Sequence, residues 1–484
     1  MRALPLLLLA ACQSGAAVLL DGGSPSEPGP TGDTDTDLPT DPSDPPTSDS
    51  DLDFSLTVDA DMVLMIHATW DATGTTEGWV EYRFDGDEWL TAPAIAPGEA
   101  VILGIPPETV VEARAALGID GKTAYTDPLL ATTGALPLRV LTPAITDSDP
   151  TLSSPAPYIL LSVASGNSPF EGPYFVQILD RAGRIVWYHE VPDELFSFYP
   201  SVSFDGTHIW FEGEDIFGFA NGDPLVTRMT LDGRWSVTFP VPGLGQAIAE
   251  GPDHSFFFER RMFNAHGVDR LDAAGATSTV WNCGAYFNAL GLEPWDCVLN
   301  SCLWDAARNT VLASQFETDT VFEIDVATGD PIRQMGQLTE GDPYTFDPPD
   351  SRFAYQHYPS WTADGTILVS THVPCPDFDP GCNEFYGGQY HVQRASEYTV
   401  DDARKTLTQV WYYESTDLWA TQAGEAYFLP GGNLVQGYGQ DGAVREVTRG
   451  GEVAWTAEFP LDGGMRLVGH ASFIDDLYAL NVGQ

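Results

Sequence analysis

The chain has 484 residues, of which 43% are hydrophobic and 12% aromatic, so it can bury a substantial core and is not disordered throughout. Its 70 acidic residues outnumber 21 basic ones and give a formal net charge of −49. That charge excludes a nucleic-acid partner, because phosphate binding requires clustered Lys and Arg. At roughly 100–200 residues per domain, the length predicts two or three folded units.

The first eleven residues predict an export signal. Met1-Arg2 is a minimal basic segment, and Leu4 to Leu9 is an apolar run too short to span a bilayer. The following Leu9-Ala10-Ala11-Cys12 resembles the bacterial lipobox. By that resemblance, residues 1–11 are a lipoprotein signal peptide, and Cys12 becomes the acylated N-terminal residue. Gln13, in place of Asp, then favours an outer-membrane anchor on the periplasmic or surface face. An ordinary secretory signal with an incidental cysteine is the alternative.

Residues 12–53 are predicted to be a disordered tether. The part from 21 to 53 contains ten Asp or Glu, no Lys or Arg, and much Pro, Ser and Thr. Such a segment has little apolar surface to bury and its like charges repel, which favours an extended spacer. Its acidic residues lack the glycine turn and terminal Glu of an EF-hand calcium loop. The membrane would therefore be contacted only through the lipid, with the folded part standing away from it.

Five cysteines follow the lipidated one, and exported proteins commonly form disulfides. Cys375 and Cys382 flank a short loop rich in Pro, Gly and Asp, and are predicted to pair. Cys283, Cys297 and Cys302 leave one thiol over, and the sequence does not identify it. A zinc site is the rival interpretation, but Cys-x-x-Cys spacing is absent from the sequence.

Residues 54–137 predict a small β-sandwich. Alternating apolar and polar residues recur between turns rich in Gly, Pro and Asp, in Met62–Trp70, Trp79–Phe84 and Val110–Ala116. The pattern resembles a fibronectin type III module, with an early-strand Trp70, the segment Gly104-Ile105-Pro106-Pro107 and a closing Thr132-Thr133-Gly134. A spacer role is favoured over a catalytic one.

The remainder, residues 150–484, repeats a turn containing Asp or Thr and Gly, followed by a strand that often ends at Trp. The repeats are 180–192, 231–242, 271–284, 324–337, 399–414 and 447–460. Between them lie turn-and-strand signals at 204–213, 251–260, 305–315, 362–372 and 429–439. Repeats of this spacing with no convincing helix predict an all-β fold, a six-bladed β-propeller. Seven blades are the alternative, because the interval 337–399 is long enough to contain an additional one. Asp476–Leu480 is predicted to be the strand that closes the ring on the first blade.

Propellers bind ligands where the inner strands converge on the axial channel. His357 and Arg394, each at a predicted strand start, are the candidate catalytic residues. Their alternatives are a packing histidine and a structural ion pair. Three further histidines at turn or strand positions are predicted to be structural: His189, His208 and His254. The tryptophans that end the repeats are predicted to be core residues. The sequence shows no readable set of metal ligands, but calcium binding in an acidic central channel is an alternative.

An ordered set of motifs over residues 155–484 resembles the bacterial arylsulfotransferase family. The motifs are Asn300-Ser301, Ile324-Asp325, Thr328-Gly329, Gln356-His357, Asp364-Gly365-Thr366, Arg394-Ala395, Glu397-Tyr398, Trp411 and Leu429-Pro430-Gly431-Gly432-Asn433. The resemblance implies an exported six-bladed propeller behind a β-sandwich. It also implies transfer of a sulfuryl group from an aryl sulfate to a phenol, with no nucleotide donor and no cofactor.

The resemblance also assigns roles to residues. His357 and Arg394 match catalytic positions, and a histidine is transiently sulfated, because neutral imidazole is a competent nucleophile. Asn300, Gln356 and His391 are the predicted substrate-binding residues. A family histidine two residues before Asn-Ser is replaced here by Val298. The candidates to substitute for it are His266, His372, His391 and His470.

Two other functions stay open. A catalytically inactive surface propeller that binds a ligand or a partner protein is the main alternative, and Val298 favours it. Another propeller enzyme, such as a quinone-dependent dehydrogenase or a glycan lyase, lacks a motif in this sequence. Neither the oligomeric state nor the identities of donor and acceptor can be predicted from the sequence.

Overall fold

A computed structural model of the chain describes residues 53–75, 77–86, 88–166, 172–215, 222–261, 266–374, 390–415, 417–418, 420, 423–460 and 466–481. The predicted signal peptide, the acylation site Cys12 and all of the tether but its last residue lie outside these ranges. The predicted Cys375–Cys382 disulfide also lies outside them. Within the described ranges, every helix is too short or too polar to cross a bilayer. The chain passes from one compact unit to a second between Ala135 and Leu136.

The first unit is all β, as its alternating sequence predicts. Its strands are β1 (Phe54–Val58), β2 (Ile66–Trp70), β3 (Glu77–Arg83), β4 (Leu90–Ala96), β5 (Glu99–Ile102), β6 (Val110–Ile119), β7 (Lys122–Tyr125) and β8 (Leu129–Thr132). They form one sheet in the order β1-β2-β5-β4-β3-β6-β7, with β8 also paired to β6. Strand β4 pairs with β3 through its first half and with β5 through its second half. The sheet therefore has two halves joined by β4, and residues such as Ile66, Val80 and Val111 form its buried core.

The second unit is a six-bladed β-propeller, which confirms the predicted fold class. After β9 (Ala144–Ser148), its strands are β10 (Tyr158–Ala164), β11 (Tyr174–Asp180), β12 (Ile185–Glu190), β13 (Ser201–Val202), β14 (Ile209–Gly213), β15 (Leu225–Met229), β16 (Ser236–Pro240), β17 (Leu244–Glu250), β18 (Phe256–Arg260), β19 (Gly267–Leu271), β20 (Thr277–Trp281), β21 (Leu299–Asp305), β22 (Thr310–Gln315), β23 (Thr320–Asp325), β24 (Pro331–Gly336), β25 (Thr345–Asp347), β26 (His357–Trp361), β27 (Ile367–Pro374), β28 (Tyr390–Asp401), β29 (Thr406–Glu414), β30 (Gly424–Phe428), β31 (Leu434–Tyr438), β32 (Ala443–Val447), β33 (Val453–Glu458) and β34 (Ser472–Ile474).

Six sheets of four or five strands account for the blades in the described part of the chain. Blades 2 to 4 take their strands consecutively from β13 to β24. Blade 5 contains β26 to β29 and gains β25, which pairs in parallel with β29. The extra strand and the long β27–β28 hairpin occupy the interval 337–399, so a seventh blade is not needed to explain its length.

Most of the repeated turns are built by an aspartate whose side chain accepts backbone N–H groups, and Thr448 Oγ1 takes that place in blade 6, where it accepts the N–H of Glu452 at 3.1 Å. Asp180 Oδ1 accepts hydrogen bonds from the N–H groups of Ala182 and Arg184, at 3.0 and 2.9 Å. Asp272 and Asp325 make equivalent pairs of bonds in their own blades. A short carboxylate that accepts two successive N–H groups favours a tight turn, and a nearby glycine supplies the positive φ, as at Gly183 with φ 81°.

The tryptophans that end the repeats tie neighbouring blades together. Trp187, Trp411 and Trp455 are almost wholly buried, as predicted. Each also donates its indole N–H to a carbonyl in the turn of the next blade. The acceptors are the carbonyl oxygens of Leu231, Arg449 and Arg181, at 2.9, 3.1 and 2.9 Å respectively. The same residue therefore fills the core and satisfies a buried polar group between blades.

Both ends of the unit close the ring. Strand β34 pairs with β10 in blade 1, and β9 pairs with β33 in blade 6. The prediction that the C-terminal segment closes on the first blade is confirmed, but the predicted strand was placed too late. Residues Tyr478–Asn481 form a short 3-10 helix instead, and the side chain of Asp476 accepts the N–H of Tyr478 at 2.8 Å where this helix begins. The remaining 3-10 turns are Pro192–Glu194, Pro252–His254, Pro294–Asp296 and Pro349–Ser351.

A disulfide and a helix insert between blades 3 and 4. Cys283 is bonded to Cys297, and Cys302 is the free, buried thiol among the described cysteines. Helix α1, Cys283–Ala289, was not predicted; Asn282 Oδ1 caps it by accepting the N–H of Ala285 at 2.9 Å. The helix buries Phe287 in the cluster that also contains both bonded cysteines.

Candidate functional site

The first strands of blades 2 to 5 line an axial cavity of about 170 Å³. Neighbouring first strands contact one another around the axis, from β17 through β21 and β26 to β30. The cavity walls are largely aromatic. Its lining residues are Tyr199, Ser201, Val202, Phe204, Trp210, Ile248, Ala249, Glu250, Cys302, Leu303, Trp304, Tyr358 and His470. Among these described residues none is Lys or Arg, and Glu250 is the one carboxylate.

One wall of the cavity holds a Tyr–His–Glu chain. The Tyr358 hydroxyl lies 3.3 Å from His470 Nε2, and the two rings stack with centroids 4.8 Å apart. His470 Nδ1 contacts the carboxylate of Glu425, which also accepts the N–H of Ala471 at 2.8 Å. The carboxylate fixes Nδ1 as the protonated nitrogen, so Nε2 offers its lone pair to the tyrosine hydroxyl. Burial holds the pKa of Tyr358 well above its usual value.

His357 lies at the start of β26 and is only 5% exposed. Its Nδ1 lies 2.9 Å from the carbonyl oxygen of Tyr355 and donates to it, which leaves the lone pair on Nε2. Nε2 lies 3.3 Å from the side-chain amide nitrogen of Asn300. Burial lowers the pKa of His357 to about 4, so the ring is neutral at physiological pH.

The backbone around His357 is held in an unusual conformation. Tyr355 and Tyr358 have φ angles of 45° and 51°, a region that residues with a Cβ seldom occupy. Side chains from neighbouring segments fix both positions. Asp319 Oδ1 accepts the N–H of Tyr355 at 2.6 Å, and Ser301 Oγ accepts that of Tyr358 at 2.8 Å. Such residues cluster at functional sites because the surrounding contacts must maintain them.

Asn300 and Gln356 occupy different surroundings, although both are buried. Asn300 donates from its amide to the carbonyl of Gln356 at 2.8 Å, while its Oδ1 has no hydrogen-bond partner in the described residues. The amide of Gln356 points into the neighbouring blade and donates to Ser314 Oγ and the carbonyl of Gln315, at 3.1 and 3.0 Å. Asn300 is therefore the one of the two that contacts His357.

Arg394 lies in β28 and pairs with Glu414, its guanidinium 2.6 Å from the carboxylate. It also lies over the ring of Tyr412, 4.6 Å from the centroid. None of the contacts described for Arg394 joins it to His357 or to the cavity, so the geometry matches the structural ion-pair alternative. His391 is also in β28. The catalytic and binding roles assigned to these two residues stay predictions.

Buried carboxylates on second strands hold the first strands in place. Glu212, in β14, accepts the N–H groups of Phe198 and Tyr199, the latter at 2.8 Å. Glu259, in β18, accepts those of Gln246 and Leu299, both at 3.0 Å. Burial raises the pKa of Glu212 to about 7 despite these bonds. These carboxylates therefore fix the backbone of neighbouring segments by accepting its N–H groups, and they are not predicted to contact a ligand.

Sequence reasoning did not select Tyr358, Glu425 or Tyr199, and it placed His470 only among possible substitutes. His470 precedes β34, a strand supplied to the first blade from the far end of the chain, and Glu425 lies in blade 6. Their proximity depends on ring closure, which residue spacing does not specify. Val298 is half-buried before β21, and its carbonyl accepts the N–H of Phe316 at 2.8 Å.

The sequence matches no known protein family and no curated protein. Among solved structures, a protein of unknown function from Bacteroides caccae is 14% identical, covers 66% of this chain and 100% of its own, and has a TM-score of 0.42. Virginiamycin B lyase from Staphylococcus aureus is 12% identical, with coverages of 84% and 100% and a TM-score of 0.33. Regucalcin from Agrobacterium tumefaciens is 12% identical, with coverages of 56% and 80% and a TM-score of 0.31. Likenesses this distant carry no argument about function.

Proposed function

We propose that the propeller transfers a sulfuryl group from an aryl sulfate to a phenol, with His357 as the residue that carries the group between them. The observation that supports this most is the state of the His357 ring. It is neutral, its Nδ1 proton is committed to the Tyr355 carbonyl, and its Nε2 lone pair is directed at Asn300. A nucleophilic imidazole requires this tautomer.

In the first step, His357 Nε2 attacks the sulfur of the aryl sulfate. An N–S bond forms as the bond from sulfur to the aryl oxygen breaks, and the aryl group leaves as its phenolate, which takes a proton from water. Hydrogen-bond donors must stabilise the sulfuryl oxygens while their charge shifts. The amide of Asn300, which contacts Nε2 in the resting protein, is the nearest donor for that task.

In the second step, the oxygen of a phenol attacks the same sulfur and the N–S bond breaks, which regenerates His357. The acceptor must lose its proton at this point. His470, oriented by Glu425 and open at Nε2 toward the Tyr358 hydroxyl, is the base assigned to that proton. The aromatic side chains that line the cavity beside Tyr358 suit a phenyl group.

The proposal includes the place of action. An exported protein anchored at Cys12 would hold the propeller outside the cytoplasm, at the cell envelope and on the outer membrane. A donor already present as an aryl sulfate suits that location, because the reaction then needs no nucleotide.

A second candidate function is ligand binding without catalysis. The absence of Lys and Arg among the described cavity residues, together with the presence of Glu250, favours a neutral or cationic aromatic ligand over an anionic sulfate. The cavity also reaches Tyr358 but not the ring of its neighbour His357.

Turnover of p-nitrophenyl sulfate by the purified protein, with and without phenol, separates the two functions. Sulfuryl transfer predicts nitrophenol release that depends on phenol, with phenyl sulfate appearing in equal amount. No release with any phenolic acceptor would favour the binding function. Release without phenol would instead indicate hydrolysis.

The pH profile of kcat/KM should reflect the low pKa of the nucleophile. Because burial lowers the pKa of His357 to about 4, the ring stays neutral through most of the acid range. We expect the acid limb of kcat/KM to lie near pH 4 rather than near 6.5, with the rate falling as pH falls through it. An acid limb centred near pH 6.5 would assign the nucleophile to an imidazole with an ordinary pKa.

A further inference from the structure

A second group of chemically competent side chains lies where blades 2 and 3 meet. His208 and His254 occupy equivalent turns, each just before the second strand of its blade, and Glu250 ends β17. One ligand-type atom from each lies within 4.8 Å of the other two. The turns that precede β22, β27 and β31 in blades 4, 5 and 6 contain no histidine, so this pairing of histidines is particular to blades 2 and 3.

Each of the three residues also has one buried ligand-type atom without a hydrogen-bond partner in the described part of the chain. His208 Nε2, Glu250 Oε1 and His254 Nδ1 are all buried and lack a hydrogen-bond partner in the described residues. The side chain of His208 is 0% exposed, and that of Glu250 is 6% exposed. Leaving three buried polar atoms unpaired is costly, unless something binds them together.

Other contacts orient these atoms toward one another. His208 Nδ1 lies 2.9 Å from Thr207 Oγ1, which in turn donates to Asp205 Oδ1 at 2.7 Å. The bond at Nδ1 leaves the lone pair of His208 on Nε2. Glu250 Oε2 accepts the N–H of Phe204 at 2.6 Å, which frees Oε1. Supporting bonds of this kind usually accompany metal-binding histidines and carboxylates.

The spacing fits a small divalent ion. His254 Nδ1 and Glu250 Oε1 are 3.4 Å apart. Ligands at ~2.1 Å from a tetrahedral zinc ion are themselves separated by roughly 3.4 Å. Asp205 Oδ2 lies 3.6 Å from His254 Nε2, on the far side of that ring, and adds negative charge nearby. Arg228 interacts electrostatically with Glu250 and offsets part of that charge.

We infer that His208 Nε2, Glu250 Oε1 and His254 Nδ1 bind a zinc-class transition-metal ion. Two imidazoles and one carboxylate leave a fourth position for water or a ligand atom. Glu250 and Phe204 both line the axial cavity, so the ion lies at one end of it. The proposed metal site does not depend on sulfuryl transfer. It gives His208 and His254 a ligand role in place of the structural role that the sequence predicts.

The test measures zinc binding to the full-length protein in two ways. Titration calorimetry gives the affinity, and metal analysis after dialysis gives the number of zinc ions retained. His254→Gln is the main variant, because this side chain is 25% exposed on a surface turn and its loss should leave the fold intact. Glu250→Gln is the second variant. His189→Gln, on β12 of blade 1 and outside this group of three residues, is the matched control. Any zinc held by the acidic tether is common to all four proteins.

We expect wild type and His189→Gln to retain one equivalent of zinc that both site variants lose, with affinity at that site lower by at least about 100-fold. Cobalt(II) alone should give visible absorption bands of a four- or five-coordinate ion in wild type, and His254→Gln should lack them. Equal zinc retention by wild type and His254→Gln would overturn the proposal. Wild-type protein without a retained equivalent would overturn it as well.

Discussion

Replacing His357 by Asn is expected to lower kcat for phenol-dependent sulfuryl transfer by at least about 1,000-fold. The Asn side-chain amide can still donate to the Tyr355 carbonyl, as Nδ1 does now at 2.9 Å. It has no nitrogen lone pair to attack sulfur. The substitution therefore removes the nucleophile while keeping the local hydrogen bond, and circular dichroism and the thermal midpoint should change little.

His372→Asn is the matched control for this experiment. His372 lies in the same blade, is 4% exposed, and its ring centroid lies 6.2 Å from that of His357. If activity depended only on filling the space that these two neighbouring rings occupy, both variants would lose it. We expect His372→Asn to stay within about tenfold of wild type. Full activity in His357→Asn would remove His357 from the mechanism and transfer the nucleophile's role to His470.

Replacing Glu446 by Gln should lower the free energy of unfolding of the propeller by about 3 kcal/mol. Glu446 is fully buried in β32. One oxygen accepts from the Ser154 N–H and from the Asn433 amide, each at 2.6 Å, and the other accepts from Arg181 at 2.8 Å. These bonds join blade 6 to the chain that enters blade 1. A glutamine would leave the Arg181 guanidinium without its counter-charge.

Urea denaturation followed by tryptophan fluorescence measures this effect. Glu458→Gln is the control, because Glu458 also bonds across the closure but only to the exposed hydroxyl of Thr146, at 2.8 Å. We expect its cost to be within about 0.5 kcal/mol. Equal midpoints for the two variants would contradict a special role for Glu446 in closing the ring.

Most of the propeller could be predicted because its signals are local. An aspartate or threonine marks each outer hairpin, often with a glycine and a following tryptophan, as Asp180, Gly183 and Trp187 do in blade 1. Ring closure determines the remaining strand pairings, and these are harder to predict from the sequence. Strand β34 has only three residues and lacks a long alternating pattern, so the closing strand was predicted several residues too late. Helix α1 was missed because seven residues give too short a periodic signal.

The candidate site could be predicted only in part, for a related reason. His357 stands out because it starts a strand beside a repeat signal. Its environment depends on residues distant in sequence, such as Asn300, and Tyr358 in turn contacts His470 across the closed ring. For Arg394, the sequence does not reveal that Glu414 lies opposite it in the ladder and pairs with its guanidinium.

Direct detection of the covalent intermediate tests sulfuryl transfer most sharply. The protein would be mixed with p-nitrophenyl sulfate without an acceptor, digested at neutral to alkaline pH, and mapped by mass spectrometry. We predict a sulfuryl group on the peptide that contains His357, lost when phenol is added before digestion. A sulfuryl group on another residue, or turnover with phenol but no modified peptide at any time, would contradict the mechanism proposed for this propeller.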